Sequence, residues 1–255
     1  MEPARETGYL HRPVGELVAE DYTRAAVFAE AGIDFCCGGG RTVAQACEAK
    51  GISPDRVVDA LEARDASSAE ASGPDVRTWS LGQLVDHIET EHHGYLRRTL
   101  PVLGTWTDKI ARVHGGRHPE LVEVRALVAE LASELDRHME DEEEKVFPLV
   151  TALEAPADDG AGCLPVPEAL VEALEDDHDH AGSLMRRIRD LTDGFSPPPD
   201  ACATYTASFV LLREFEADLH RHVHLENNVL FPRARSLNAR RSGPPSDKED
   251  GHAFH

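Results

Sequence analysis

The sequence predicts an all-α protein, a small helical N-terminal domain followed by an antiparallel four-helix bundle. Three observations predict it. Apolar residues recur at intervals of three and four along four long stretches, the period of a helix with one buried face. Gly- and Pro-bearing segments at 115–119, 154–167 and 197–199 separate these stretches and act as loops. An eleven-residue pattern also occurs twice, as His138-Met139-Glu140-Asp141-Glu142-Glu143-Glu144-Lys145-Val146-Phe147-Pro148 and as His222-Val223-His224-Leu225-Glu226-Asn227-Asn228-Val229-Leu230-Phe231-Pro232. Each copy has a His, a Glu four residues on, and a closing Phe-Pro.

Four residues carry a helix through about 400°, so His138 and Glu142, or His222 and Glu226, point the same way to within about 40°. The surrounding apolar residues show which way that is. They run Leu127, Leu131, Leu135, His138, Glu142, Val146, Leu149 in one copy and Phe215, Leu219, His222, Glu226, Val229 in the other. The His and Glu stand inside the buried stripe, where an unpaired carboxylate is costly and a metal ion is the partner that offsets two such intrusions. In the run Glu140 to Glu144 only Glu142 keeps this register; its neighbours fit a solvated acidic face.

Composition narrows the function classes. A chain of 255 residues, 41% apolar, is long enough for one large or two modest domains and has no apolar run able to span a bilayer. Its 26 Lys and Arg against 47 Asp and Glu give a formal charge of −21, which argues against a basic patch for nucleic acid or an anionic membrane. The start, Met-Glu-Pro-Ala-Arg-Glu-Thr-Gly, resembles no secretory signal, so a cytoplasmic location with reduced thiols is expected. Fourteen His are many for this length, and five scattered Cys do not form a disulfide framework.

The N-terminal domain is expected over 1–64, opening on a loose arm at 1–11. Val14, Leu17 and Val18, then Ala25, Ala26, Phe28 and Ala29, predict two short helices, the second beginning after Asp21 and stopping at Gly32. Gly32-Ile33-Asp34-Phe35-Cys36-Cys37-Gly38-Gly39-Gly40-Arg41 follows, and Thr42 caps a helix carrying Val43, Ala46 and Cys47. Cys36 and Cys37 thus sit near a helix start, where its partial positive charge and Arg41 are expected to favour the thiolate. Adjacent α-carbons lie about 3.8 Å apart, too close for an unstrained mutual disulfide. Two free thiols, or a metal or mixed-disulfide site completed from outside, fit better; the bland alternative is two small buried apolar residues before a turn. A last helix opens at Ser53-Pro54 and runs to about Arg64.

Residues 65–78, small, polar and broken by Gly-Pro, are expected to be a linker, and the bundle to occupy 79–235. Its first helix is capped by Ser80, with Pro101 predicting a kink or an end. Periodicity places His92 on the stripe through Ile88 and Leu96 and His93 at the stripe's edge, leaving that choice open; His87 lies on the same helix. The second helix, about 119–153, carries the first His/Glu pair. The third, about 168–193, has His178 in the stripe Val171, Leu174, Ala181, Met185, Ile188, while His180 points away. The fourth, about 200–235, carries the second pair, and its His220 and His224 align with Glu216 and Asn228 on the polar side, as solvated or supporting residues. The tail 236–255 is expected to be disordered.

Four helices, each with a polar intrusion at similar depth, give about four His and two Glu. Such a nitrogen and carboxylate set suits iron or manganese, less specifically zinc, and its count suits two ions with each Glu bridging them. Open positions would remain for oxygen, nitric oxide or an oxo bridge.

These motifs together resemble the iron-sulfur cluster repair di-iron (RIC) family, with an ScdA-type N-terminal domain and a hemerythrin-like second domain. The resemblance rests on Gly32-Ile33-Asp34-Phe35-Cys36-Cys37-Gly38-Gly39, on Asp86-His87-Ile88 with His93, on His138 and Glu142 before Phe147-Pro148, on His178-Asp179-His180-Ala181-Gly182, and on His222 with Glu226 before Phe231-Pro232. Gly40 and the His-rich surroundings of His222 depart from the pattern without touching an implied ligand. The resemblance implies two iron ions, oxo- and carboxylate-bridged, held by His93, His138, Glu142, His178, His222 and Glu226, and so favours His93 over His92. It implies repair of iron-sulfur clusters after oxidative or nitrosative damage, with the centre as a redox-active iron source and damaged iron-sulfur proteins as partners. Cys36 and Cys37 match the family's cysteine pair and are expected to act in repair by engaging an acceptor cluster or a released iron. Nitric oxide reduction, or hemerythrin-type sensing of oxygen or nitric oxide, is the alternative, and a homodimer is one assembly it allows.

Overall fold

The structure, a computed structural model, describes residues 8–67, 75–155 and 164–241. Its regular elements there are helical. In the N-terminal part α1 (Val14–Glu20), α2 (Ala25–Glu30), α3 (Val43–Lys50) and α4 (Pro54–Ser67) follow one another through short turns. Asp21 caps a 3-10 turn, Tyr22–Arg24, that leads into α2, and Gly32, at φ +66°, supplies the left-handed residue that ends the segment. Thr42 and Gln45 form a capping box at the start of α3. Residues 12–15 pair with the glycine loop: Gly15 N–H donates to Gly39 at 2.8 Å, Val14 N–H to Arg41 at 2.9 Å, and Val43 N–H returns to Arg12 at 3.1 Å. The loop is therefore tied to the start of α1 by backbone bonds.

Four rods make the bundle. Ser80 and Gln83 form a second capping box, and the first rod joins α5 (Leu81–His87), a π-helical turn (Ile88–His93) and α6 (Gly94–His114). The second joins α7 (Glu120–Asp141), a π turn (Glu142–Val146) and α8 (Phe147–Ala152). The third is α9 (Glu168–Leu191). The fourth joins α10 (Ala203–Leu225), a π turn (Glu226–Leu230) and α11 (Phe231–Arg241). α7 packs on α6 and α9, and α10 on α6. Pro101 does not end its helix: α6 runs on to His114, because the proline lies on the exposed side, where water serves the carbonyl it leaves unbonded.

Several expectations change. The arm is ordered from Gly8 onward, since Tyr9 donates to Asp65 at 2.5 Å and Leu10 accepts from Ala44; residues 1–7 lie outside the described residues. Asp65 to Ser67 extend α4 rather than opening a linker, with Asp65 bonded by Arg24, and Val76–Thr78 is a 3-10 turn; 68–74 lie outside the described residues. Helix also continues through Ser236 to Arg241, because Arg235 pairs with Glu168 and Glu175, Leu237 packs on the core and Asn238 donates to Val166 at 3.0 Å. Residues 242–255 lie outside the described residues.

One apolar cluster joins the two parts: Val14, Leu17, Phe28 and Phe35 belong with Leu96, Leu131, Phe215 and Leu219. A second fills the other end of the bundle, from Leu81 and Leu84 to Phe147, Leu230 and Phe231.

Candidate metal centre

Six polar side chains, His93, His138, Glu142, His178, His222 and Glu226, meet inside the bundle, each at most 1% exposed. They form two groups of converging donors. His93, Glu142, His222 and Glu226 make one, and His138, Glu142, His178 and Glu226 the other, with ligand atoms within 4.8 Å of one another in each. Both carboxylates belong to both groups. Nε2 of His93 stands 3.1 Å from Nε2 of His222, and Nε2 of His178 stands 2.9 Å from that of His138. Glu142 reaches toward His93 at 3.2 Å and His138 at 3.3 Å, while Glu226 reaches His222 at 2.8 Å and His178 at 3.1 Å.

The π turns set this register. A turn closed by i→i+5 bonds takes in one more residue than an α turn, and such turns gather at functional sites. Gly94 N–H bonds back to Glu89, and the widened turn brings His93 into the centre while His92 faces Asp218 at 3.0 Å. Periodicity computed for an unbroken α-helix could not separate these two neighbours. His92 stacks on His222, with planes 3° apart and centroids 5.6 Å apart, and so supports a donor without joining the group.

The whole repeat now has a physical meaning. The residue after each Glu serves the outer nitrogen of a His on another rod: His93 Nδ1 meets Glu143 at 2.6 Å, and His178 Nδ1 meets Asn227 at 2.9 Å. Each Phe stacks on that same ring, Phe147 on His93 at 5.8 Å and Phe231 on His178 at 6.4 Å. Bonds of this kind fix the tautomer that turns the other nitrogen inward. Sequence reasoning missed Glu143, Asn227 and the Phe stacking, although position 143 matching 227 in the repeat was available as a signal.

Burial of two carboxylates costs several kcal/mol each unless cations answer them. Burial works against a charge on His138, but Glu142, Asp177 and Glu226 outweigh it and push the ring up to about 10. Burial also opposes charge on Glu226, and His222 with His178 overcomes it and holds the carboxyl well below its usual range. Even so, both oxygens of Glu142 and Oε2 of Glu226 find no hydrogen bond among the described residues. A divalent cation is the partner such orphaned oxygens fit, and it competes with protons for the same imidazole nitrogens.

The polar side of α10 differs from expectation. His224 is 1% exposed, lying against Tyr22 at 5.9 Å and Phe35 at 6.1 Å, and burial pushes it down to about 4. His220, half-buried, meets Phe35 at 5.7 Å. The N-terminal part covers this face, which a reading of α10 by itself leaves open to water. Neither His joins the central groups.

Cys36 and Cys37 lie on the glycine loop, away from the six. Cys36 is 6% exposed. Its thiol is pushed well up by the hydrogen bond it shares with Cys37, by burial and by the Asp34 carboxylate, so the expected thiolate does not form there. The thiol instead donates to Asp34 Oδ1 at 3.2 Å.

Fold and donor set define a hemerythrin-type cation-binding bundle. The hemerythrin HHE cation binding domain model matches residues 84–234, and ScdA_N, a domain of unknown function, matches 10–65. An iron-sulfur cluster repair protein YtfE from Enterobacter sp. (strain 638) is 36% identical over 88% of this chain and 96% of its own length. Proteins of the same name from Escherichia coli O1:K1 and Escherichia fergusonii are each 34% identical over 89% of this chain and 97% of theirs. The chain belongs to the iron-sulfur cluster repair protein family.

Proposed function

We propose that the bundle holds two iron ions and serves the repair of iron-sulfur clusters damaged by oxidative or nitrosative stress, as a source of iron. The observation that carries this is the sharing of Glu142 and Glu226 between two four-donor groups. In this reading His93 and His222 would hold one ion and His138 and His178 the other, with Glu142 and Glu226 available to both. The ions supply redox chemistry and exchangeable iron. The chain's own residues do the rest. Glu143 and Asn227 keep the imidazole nitrogens turned inward, and Phe147 and Phe231 seal the rings from water. Carboxylates shift readily between shared and single attachment, which suits a centre whose metal has to leave.

The name these relatives carry supports repair over nitric oxide reduction or gas sensing, for which the geometry offers no separate support. The free state of Cys36, Cys37, Cys47 and Cys202 fits a reducing cytoplasm, and no helix among the described residues is long and apolar enough to cross a membrane. Within this reading, Cys36 and Cys37 engage the acceptor protein, and the part up to Ser67 acts as a module set on the bundle. Elemental analysis tests the reading: the purified protein carries about two irons per chain, as carboxylate-bridged bundles do. Glu142→Ala and Glu226→Ala each lose most of it. Full iron in both variants, or no recovery of a damaged cluster enzyme by the loaded protein, rules the reading out.

A further inference from the structure

The thiol pair sits in a built setting. Asp34 Oδ1 accepts the N–H of Cys36 at 3.1 Å and that of Cys37 at 3.0 Å, besides the Cys36 thiol at 3.2 Å. Three bonds thus hold one carboxylate oxygen against the Cys36–Cys37 backbone and the Cys36 sulfur, and a donor atom from each of Asp34, Cys36 and Cys37 lies within 4.8 Å of the others. The loop cannot drift, because Asn228 donates to the Cys36 carbonyl at 2.9 Å.

A pocket of about 730 Å³ opens beside the sulfurs, walled on α9 by Glu172, Asp176 and Asp179. The Cys37 sulfur lies 4.0 Å from where a Cβ on Gly182 would stand, so α9 passes within contact distance of it. Asn227 lines the same pocket while bonding His178, so the pocket ends one side chain short of the bundle centre. Arg186 approaches the far oxygen of Asp34 at 3.6 Å.

We propose that Asp34, Cys36 and Cys37 form a second metal site, separate from the bundle centre, that takes a divalent cation with affinity for sulfur and opens onto the acidic pocket. Two thiolates and a carboxylate suit ferrous iron, zinc or cadmium. Three protein donors leave a further coordination position open to water or an outside ligand. Binding breaks two S–H bonds, forms two metal–sulfur bonds and releases two protons, and no electron changes hands. Adjacent cysteines resist pairing with each other, which keeps both sulfurs available. The acidic wall raises the local cation concentration. That the ion in the cell is ferrous iron passing to or from the bundle rests on the repair reading above; the site itself does not.

Cadmium titration of the full-length, iron-loaded protein under anaerobic conditions tests it, following bound metal and the ultraviolet thiolate-to-metal band. The wild type takes up one cadmium beyond its bundle iron and develops the band, and Cys202→Ser does the same. Cys36→Ser/Cys37→Ser loses both signals with helicity and bundle iron retained, and Asp34→Asn, which keeps both thiols, binds about tenfold more weakly or worse. A band that persists in the double variant, or wild-type protein that takes up no extra cadmium, overturns the site. If the double variant loses cadmium yet restores a damaged cluster enzyme as well as wild type, the exchange role falls and the site stands. If the wild type restores nothing, it is the repair reading that fails.

Discussion

Glu143 and Asn227 hold equivalent places in the repeat, and each steadies a histidine that belongs to another rod. Outer bonds of this kind are worth about ten- to a hundredfold in metal affinity. Asn227→Ala is therefore expected to release iron to a competing chelator at ten- to a hundredfold lower chelator concentration, with helicity unchanged; equal retention would show that His178 needs no such support. At the neighbouring pair His92 and His93, His93→Ala is expected to lose bundle iron, whereas His92→Ala keeps most of it, as elemental analysis would show. Five of the candidate ligands, His138, Glu142, His178, His222 and Glu226, were legible because a carboxylate or imidazole in a leucine stripe is costly and hence conspicuous, whereas His93 was separated from His92 only by the family resemblance. Glu143 was not legible, since in the run from Glu140 to Glu144 it looks like one more solvated charge. Asn227, neutral and polar, gives no signal of its own.

Among the elements, docking of the N-terminal helices depends on two close approaches. A Cβ on Gly15 would come within 2.0 Å of Asn228 Oδ1, and one on Gly39 within 2.2 Å of the same atom and 2.8 Å of the Phe35 carbonyl. Gly39→Ala therefore has to push the loop off the bundle or shift Asn228, a kind of overpacking that costs about 1–3 kcal/mol. The expected result is a lower melting temperature and faster alkylation of Cys36; unchanged alkylation would show that the loop absorbs the methyl in place. Helix positions were legible from caps and spacing at Thr42 and Ser80, and the structure keeps both as capping boxes. The three π turns were not, because a widened turn has no composition of its own. Nor was the helix through Ser236 to Arg241, which depends on Asn238 and Leu237 finding partners far away in the chain.

At the scale of the whole molecule, the N-terminal part and the bundle share apolar contacts, so the His220 and His224 face becomes interior. No pattern confined to α10 could announce this, since the cover comes from residues nearly two hundred positions earlier. Within the N-terminal part, Asp65 closes the ring of helices: Arg24 donates to it at 2.8 and 2.9 Å, and Tyr9 at 2.5 Å. The Arg24 guanidinium holds the Asp65 carboxyl below its usual range, against the pull of burial. A group depressed in the folded state contributes stability above its unfolded value, about 3.9, and loses it as pH falls through the lowered folded one. Asp65→Asn is expected to cost about 1–3 kcal/mol near neutrality and to flatten the fall of stability below about pH 4. Chemical denaturation at several pH values measures both, and parallel curves for variant and wild type would exclude the linkage.

The two copies of the repeat differ in one respect that bears on how a loaded centre would empty. Position 143 presents an anion to His93, further tied to Arg97 at 2.9 Å, whereas position 227 presents a neutral amide to His178. An anionic partner makes an imidazole the stronger donor. Two ions held in this near-symmetric cage would thus meet unequal histidines at positions 93 and 178, with Asp177 beside His138 redressing part of the difference, and a chelator would draw them out unequally.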